Sequence, residues 1–205
     1  MVLSRQHNGE NQMTDYETYE VRVYKNGDKW WLQNGNRHRT DGPAVEYADG
    51  HTSWWQNDKL HREDGPAVEW KNCYKAWYKN GEFHRTDGPA IEYVDGGKEW
   101  LQNGKHHRAD GPAVEYADGS KSWYVNDKRH RADGPAIEWA SGYKEWWQNG
   151  KRHRTDGHAV EWADGTKFWY IDGVPYTEEE FNEKMNYCEG KTVTIDGKEY
   201  RLTAI

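Results

Sequence analysis

A chain of 205 residues and 24.2 kDa, with a formal net charge of −7 at pH 7, has room for one domain and a second small one. Leu, Ile, Val and Phe supply about an eighth of it, below the ~20% at which charged chains usually stay unfolded, but 13 Trp and 14 Tyr offer aromatic surface in their place. No run nears the ~18 apolar residues of a membrane span, MVLSRQHNGENQ has no signal-peptide core, and Cys73 and Cys188 form neither a disulfide framework nor a zinc set, so the expectation is a cytoplasmic chain with no membrane partner.

Residues 1–19 are polar, carry no period and are expected to be disordered. From residue 20 to 173 the chain is a repeat. A half-unit opens it (Tyr24, Asn26-Gly27, Lys29, Trp31), and His-Arg pairs then begin at His38, His61, His84, His107, His130 and His153, each 23 residues after the last. Two residues after each Arg comes Asp-Gly, then Pro-Ala in five units, with His158 in place of Pro in the sixth. Val or Ile, Glu, and Tyr or Trp follow.

Within a unit, Ala44 to Tyr47 reads as a strand, Asp49-Gly50 as a two-residue turn and Thr52 to Gln56 as the returning strand. Asp-Gly and Asn-Gly suit a type I′ turn, whose central residues both have φ > 0. Cys73 stands where other units have Gly, so strain is expected there. This register puts Val45 opposite Trp54, and it sends Trp54, Trp77, Trp100, Trp123, Trp146 and Trp169 to the interior. The residues that follow (Trp55, Tyr78, Leu101, Tyr124, Trp147, Tyr170) then point to the opposite, exposed face. A second turn such as Asn80-Gly81 leads into the His-Arg-x-Asp-Gly-Pro loop, and hairpins follow one another as a meander. Residues 174–205 read as a cap: Thr177 before three glutamates starts a short helix striped by Phe181 and Met185, and Lys191 to Leu202 forms a terminal hairpin around Asp196-Gly197.

The fold expected is therefore all-β, an elongated meander of stacked hairpins closed by a short helix and a hairpin. The unit running from Trp100 to Lys121 resembles the MORN repeat, in which Gly-bearing hairpins of about this length stack into a long sheet, although MORN units carry Gly where Arg39 and its successors stand. The His-Arg-x-Asp-Gly-Pro-Ala variant with its TEEEF helix is similar to repeat proteins of bacteriophages and large DNA viruses. That resemblance implies a non-enzymatic scaffold that binds another protein. It suggests an accessory protein in a host cytoplasm that sequesters a host or defence component.

Equivalent residues of successive units lie two strands apart, ~10 Å at ~4.8 Å per strand. Ligands at that spacing do not converge on a metal, and a motif repeated six times has no unique cleft or nucleophile. The expectation is no catalytic residue, no metal and no cofactor. His is expected to pack over the next unit's aromatic, Asp41-type residues to cap the turn, and Arg to pair with Glu46 or Glu69. A protein-binding surface is expected to combine the exposed row Trp55, Tyr78, Leu101, Tyr124, Trp147 and Tyr170 with Arg62, Arg85, Arg108 and Arg131, since Trp, Tyr and Arg dominate hot spots. The alternative is a nucleic-acid or nucleotide-binding array with the Arg ladder on phosphates and the aromatics on bases. The 19 basic and 23 acidic residues between His38 and Gly173 disfavour it. The sequence sets no oligomeric state.

Overall fold

A computed structural model describes residues 2–3, 18–185 and 192–201. They divide into two compact units, Met1–Ala117 and Asp118–Ile205. The first unit is an antiparallel sheet that begins with Val2–Leu3 paired to Tyr19–Val23, within the segment expected to be disordered; 4–17 lies outside the described residues. Lys29–Gln33, Val45–Glu46, Thr52–Ser53, Val68–Trp70, Tyr74–Ala76, Ile91–Tyr93, Lys98–Glu99 and Val114–Glu115 follow, each pairing with the one before. In the second unit the same meander runs through Lys121–Ser122, Ile137–Glu138, Lys144–Glu145, Val160–Glu161 and Lys167–Ile171. The architecture is all-β, as expected.

Between the long hairpins stand short ones, such as Tyr78–Lys79 with Glu82–Phe83. Their turns are type I′. Asn80 and Gly81 have φ of 54° and 90°, and Asn126 and Asp127 in the second unit have 50° and 61°, values open to Gly, Asn and Asp.

The long hairpin differs from its expected register by one residue. Ala48, Asp49 and Gly50 form a three-residue loop in which only Gly50 is left-handed (φ 87°), and the Tyr47 N–H donates to the His51 carbonyl at 3.0 Å. Val45 thus faces Ser53, and Glu46 faces Thr52. Because side chains alternate, one step of register exchanges the faces. Trp54, Trp77, Trp100, Trp123 and Trp146 are accordingly half-buried under arginines, and Trp169 is half-buried beside His158, rather than interior. At Cys73 no strain falls, because Asn72 takes the left-handed conformation (φ 61°) and the Cys73 N–H still reaches the Trp70 carbonyl at 3.0 Å.

Small residues fill the interior. Ala44, Ala67, Ala90 and Ala113 are fully buried in the first unit, as are Ala136 and Ala159 in the second. The carbonyl of each accepts the backbone N–H of a tryptophan from the repeat before it, as Ala67 does from Trp54 at 2.7 Å. Val68, Ala76, Ile91 and Leu101 form one cluster, onto which Leu60, Tyr78 and Phe83 of the short hairpins pack. Ile137, Tyr143 and Val160 form the cluster of the second unit, with Trp147 and Tyr170 against it. On the other face Glu and Lys alternate strand by strand: Glu69, Lys75, Glu92, Lys98 and Glu115 in the first unit, and Lys121, Glu138, Lys144, Glu161 and Lys167 in the second. Opposite charges placed directly across a ladder contribute ~0.2–1 kcal/mol each and penalise a slipped register.

The helix is Glu178–Met185. Thr177 caps it reciprocally: its Oγ1 accepts the Glu180 N–H at 3.2 Å, and Glu180 Oε2 accepts the Thr177 N–H at 2.8 Å. Phe181 is buried, and the helix packs on the strands Lys167–Ile171 and Val174–Tyr176. Thr192–Ile195 and Lys198–Arg201 make the terminal hairpin around Asp196 and Gly197.

Candidate binding surface

The residues common to every repeat hold the repeats to one another. His61 accepts the backbone N–H of Asn80, in the next turn, at 3.1 Å on Nδ1, which also lies 3.0 Å from that side-chain amide. The same link joins His38 to Asn57, His84 to Asn103, His130 to Asn149 and His153 to Asp172. The histidines therefore serve as hydrogen-bond staples to a turn, where stacking over an aromatic was expected.

Each arginine of the motif is similarly committed. Arg62 donates from Nε to Asp64 at 2.9 Å, and from Nη1 to the Pro66 carbonyl at 3.2 Å and to Glu69 at 3.1 Å. Its guanidinium lies 4.1 Å from the centroid of the Trp54 ring. Arg85, Arg108 and Arg131 repeat these contacts with Trp77, Trp100 and Trp123, and their side chains keep only 21–22% exposure. The expected pairing with Glu in the same unit is present. Hydrogen bonds from these arginines hold the carboxyls of Asp64, Asp87, Asp110 and Asp133 below the usual carboxylate range, so the loop acids stay ionised. Three contacts at Arg154 and four at the others leave no free arginine ladder.

The loop glycine belongs to the same device. A Cβ added to Gly65 would stand 2.9 Å from Arg62 Cζ, and one on Gly88 would stand 2.8 Å from Arg85 Cζ. These glycines have no left-handed φ; they are small so that the arginine can cross them.

The row expected to be exposed lies largely inside. Leu101 is buried at 5% exposure, and Trp55, Tyr78, Tyr124, Trp147 and Tyr170 are half-buried. Trp55 donates from Nε1 to Ser53, the residue facing Val45. Tyr78 stacks on Phe83 with centroids 4.2 Å apart, and burial pushes its hydroxyl pKa up to about 12. The one-residue register shift turns this row toward the aliphatic core.

Apart from Phe168 and Tyr200, the exposed aromatics stand at or just past the end of the first strand of a long hairpin. In the first unit Trp70, Tyr93 and Tyr116 are 38–52% exposed; in the second unit Trp139 and Trp162 are 51% and 49% exposed. They make contact through residues across the turn: Trp70, Tyr74 and Tyr93 follow at 5.3 and 6.2 Å between centroids, and Trp139, Tyr143 and Trp162 at 4.8 and 4.9 Å. A groove of about 570 Å³ is lined by Trp70, Tyr74, Tyr93, Val94 and Lys75. These positions are Tyr or Trp in every unit, and the signal that places them outside is the Glu–Lys pairing beside them.

Below the stripe, the residues that differ most between repeats meet. Glu99 bonds Tyr93 and His106 at 2.9 and 2.8 Å, and the His106 bond chiefly holds its carboxyl low. In the second unit Glu145 is buried among Tyr143 Oη, Trp147 Nε1 and Arg152 Nη2. Among the described residues no three His, Cys, Asp or Glu side chains gather as a metal set, and no helix is long and apolar enough to cross a membrane. No protein-family model matches the sequence, and no curated protein matches it.

Proposed function

We propose that the chain is a non-enzymatic, MORN-like repeat scaffold that binds another protein through exposed aromatics, Trp70, Tyr93 and Tyr116 on the first unit and Trp139 and Trp162 on the second. One observation carries this reading: the shared residues of the repeat are consumed in internal contacts, yet every long hairpin of the array still presents one large aromatic, in most of them exposed. Exposed aromatic area of this kind marks protein interaction sites, and rigid Trp and Tyr anchors supply most of the energy in such interfaces. The alternative, arginines on phosphates, has less to draw on because Arg62, Arg85, Arg108 and Arg131 are already paired. On the likeness of its repeat unit to virus-encoded proteins, we read the partner as a host or defence component of a bacterial cytoplasm.

The test is affinity capture from a bacterial lysate, with and without nuclease, comparing wild type with Trp70→Ala/Tyr93→Ala and with Trp139→Ala/Trp162→Ala. The variants should fold, since these rings are already half in solvent. A nuclease-resistant protein lost from either variant supports the reading. Equal recovery by all three chains, or a partner that disappears with nuclease, refutes it.

A further inference from the structure

We infer that Arg129 in the second unit is a receptor for a carboxylate on the partner protein, so that the bound segment is acidic where it meets Tyr124 and Trp147. This rests on the protein-binding reading and names the chemistry of one contact within it.

The repeat supplies its own controls. Arg129 occupies a position that is Arg37, Leu60, Phe83, His106 and Arg152 in the other short hairpins. Where that position is basic, a sister repeat brings it an acid from one of two places. Seven residues earlier, Glu145 meets Arg152 at 2.7 Å and Glu99 meets His106 at 2.8 Å. Twenty-one residues later, Asp58 meets Arg37 at 2.7 Å. For Arg129 these two places hold Ser122 and Gly150. Among residues 18–185, Arg129 is the one arginine that makes no ion pair.

Its surroundings suit an incoming anion. Tyr124 and Arg129 face each other across the short hairpin, and Arg129 Nε donates to Tyr124 Oη at 3.2 Å. The guanidinium lies 5.9 Å from the Tyr124 centroid and 5.1 Å from that of Trp147; Arg152 continues the series at 5.5 Å from Trp147 and 5.3 Å from Tyr170. Aromatic flanks hold an arginine in place and remove water from it, which strengthens the charge-assisted bonds its two Nη groups offer. Lys128 and Lys151 are exposed in the same pair of hairpins and add positive charge. The array as a whole is acidic, so this unpaired cation selects an acidic segment locally while the net charge opposes bulk polyanions.

The test uses the full chain and a capped peptide of alternating Glu and Ser, with its Lys-Ser counterpart and a single-stranded oligonucleotide as comparisons. Tryptophan fluorescence reports binding, and the Arg129 Nε–Hε NMR signal reports where. The Glu-Ser peptide is expected to bind saturably, shift that signal and lose about tenfold or more in affinity in Arg129→Gln, but less than about twofold in Lys79→Gln. A second variant leaves the arginine in place: Ser122→Glu supplies the internal acid that Glu145 supplies to Arg152, and it should abolish peptide binding. No Glu-Ser binding, undiminished binding in either Arg129→Gln or Ser122→Glu, or an equal dependence of oligonucleotide binding on Arg129 would overturn the inference. Failure here, with partner capture still dependent on Trp139 and Trp162, removes only this contact. Capture independent of those tryptophans removes the protein-binding reading itself.

Discussion

Replacing Gly88 with Ala sets two physical effects against each other. In an ordinary loop with negative φ, the change restricts the unfolded chain and stabilises by ~0.4–1 kcal/mol. Here the new Cβ would stand 2.8 Å from Arg85 Cζ and 3.0 Å from both Nε and Nη2, so the guanidinium has to swing away. As the end of a flexible side chain it can do so, at the cost of its contacts. These are the exposed Asp87 at 2.9 Å, which adds little, the Trp77 ring at 4.1 Å (~0.5–1 kcal/mol), the Pro89 carbonyl at 3.2 Å (~0.5–1.5) and the partly exposed Glu92 at 3.0 Å (~0–1). The midpoints of these ranges, less the midpoint of the entropic gain, leave a loss of about 1–2 kcal/mol. Gly157 is the control, because there the added Cβ would meet Arg154 at an ordinary 3.4 Å, beside His158 in place of Pro. Thermal and urea unfolding should show Gly88→Ala lowering Tm by ~2–8 °C and Gly157→Ala leaving it unchanged or slightly raised. In an Arg85→Ala background Gly88→Ala should no longer destabilise. Equal effects at the two glycines, or a loss that persists without Arg85, would refute the crossing arginine as the reason for the glycine.

Three further outcomes follow from the geometry. His84→Ala removes the acceptor of the Asn103 N–H, held at 3.2 Å, and should cost ~1 kcal/mol and speed exchange of that amide; unchanged protection would show that the staple does not hold the turn. Tyr78 and Tyr93 have hydroxyl pKa values raised to about 12, by burial and, at Tyr93, also by its bond to Glu99. Because the folded values lie above the unfolded ~10, the stabilisation is complete below pH ~10 and is lost as pH rises toward ~12. Burial raises Tyr74 and Tyr143 too, so a spectrophotometric titration should show these four phenols ionising late with unfolding alongside them, and ordinary midpoints for Tyr78 and Tyr93 would contradict the packing. Asp64, Asp87 and Asp110 are shifted the other way, so their contribution is present above the unfolded value of ~3.9 and is lost as pH falls through the depressed folded values. Asp87→Asn should flatten the acid limb of Tm against pH, and an unaltered limb would count against these pairs.

Much of this fold was legible in the chain. The fixed 23-residue period gave the meander, Asn-Gly gave the type I′ turns, and Thr177 ahead of Glu180 gave the helix start. The register of the long hairpin was not read correctly, because Asp-Gly serves both a two-residue turn and the last two places of a three-residue loop with a left-handed Gly. The discriminating signal was present in the repeated charges, Glu in every unit and Lys opposite it in all but the one with Thr52. Setting Glu92 opposite Lys98 places opposite charges across the ladder, whereas the two-residue turn sets an aromatic opposite each lysine. The surface assignment inherited that error: Leu101 and Tyr78 went from exposed to core, and Trp70 and Trp139 emerged. The function of Gly65 was illegible for another reason, since it depends on Arg62 folding back across the loop rather than on local conformation.

A repeated chain also allows a comparison that a single copy of a fold does not. Each structural position is sampled several times in the same backbone, so residues that never change are separated from those that do without recourse to relatives. The unchanging set (His, Arg, Asp, Gly, Glu and the flat Trp) forms closed contacts: Arg85 takes Asp87, the Pro89 carbonyl, Glu92 and Trp77 together, and nothing of it is left for a ligand. The changing set is gathered on the face that the short hairpins partly cover, where Ser53, Ala76 and Glu99 occupy one position in the first unit and Ser122 and Glu145 the same position in the second. At that position the substitutions are coupled to neighbours: Glu appears with His106 or Arg152, and Ala76 with Phe83. Ser122 beside Arg129 breaks the coupling. On the protein-binding reading, the one charge left unmatched in this otherwise matched series is where the partner completes the contact.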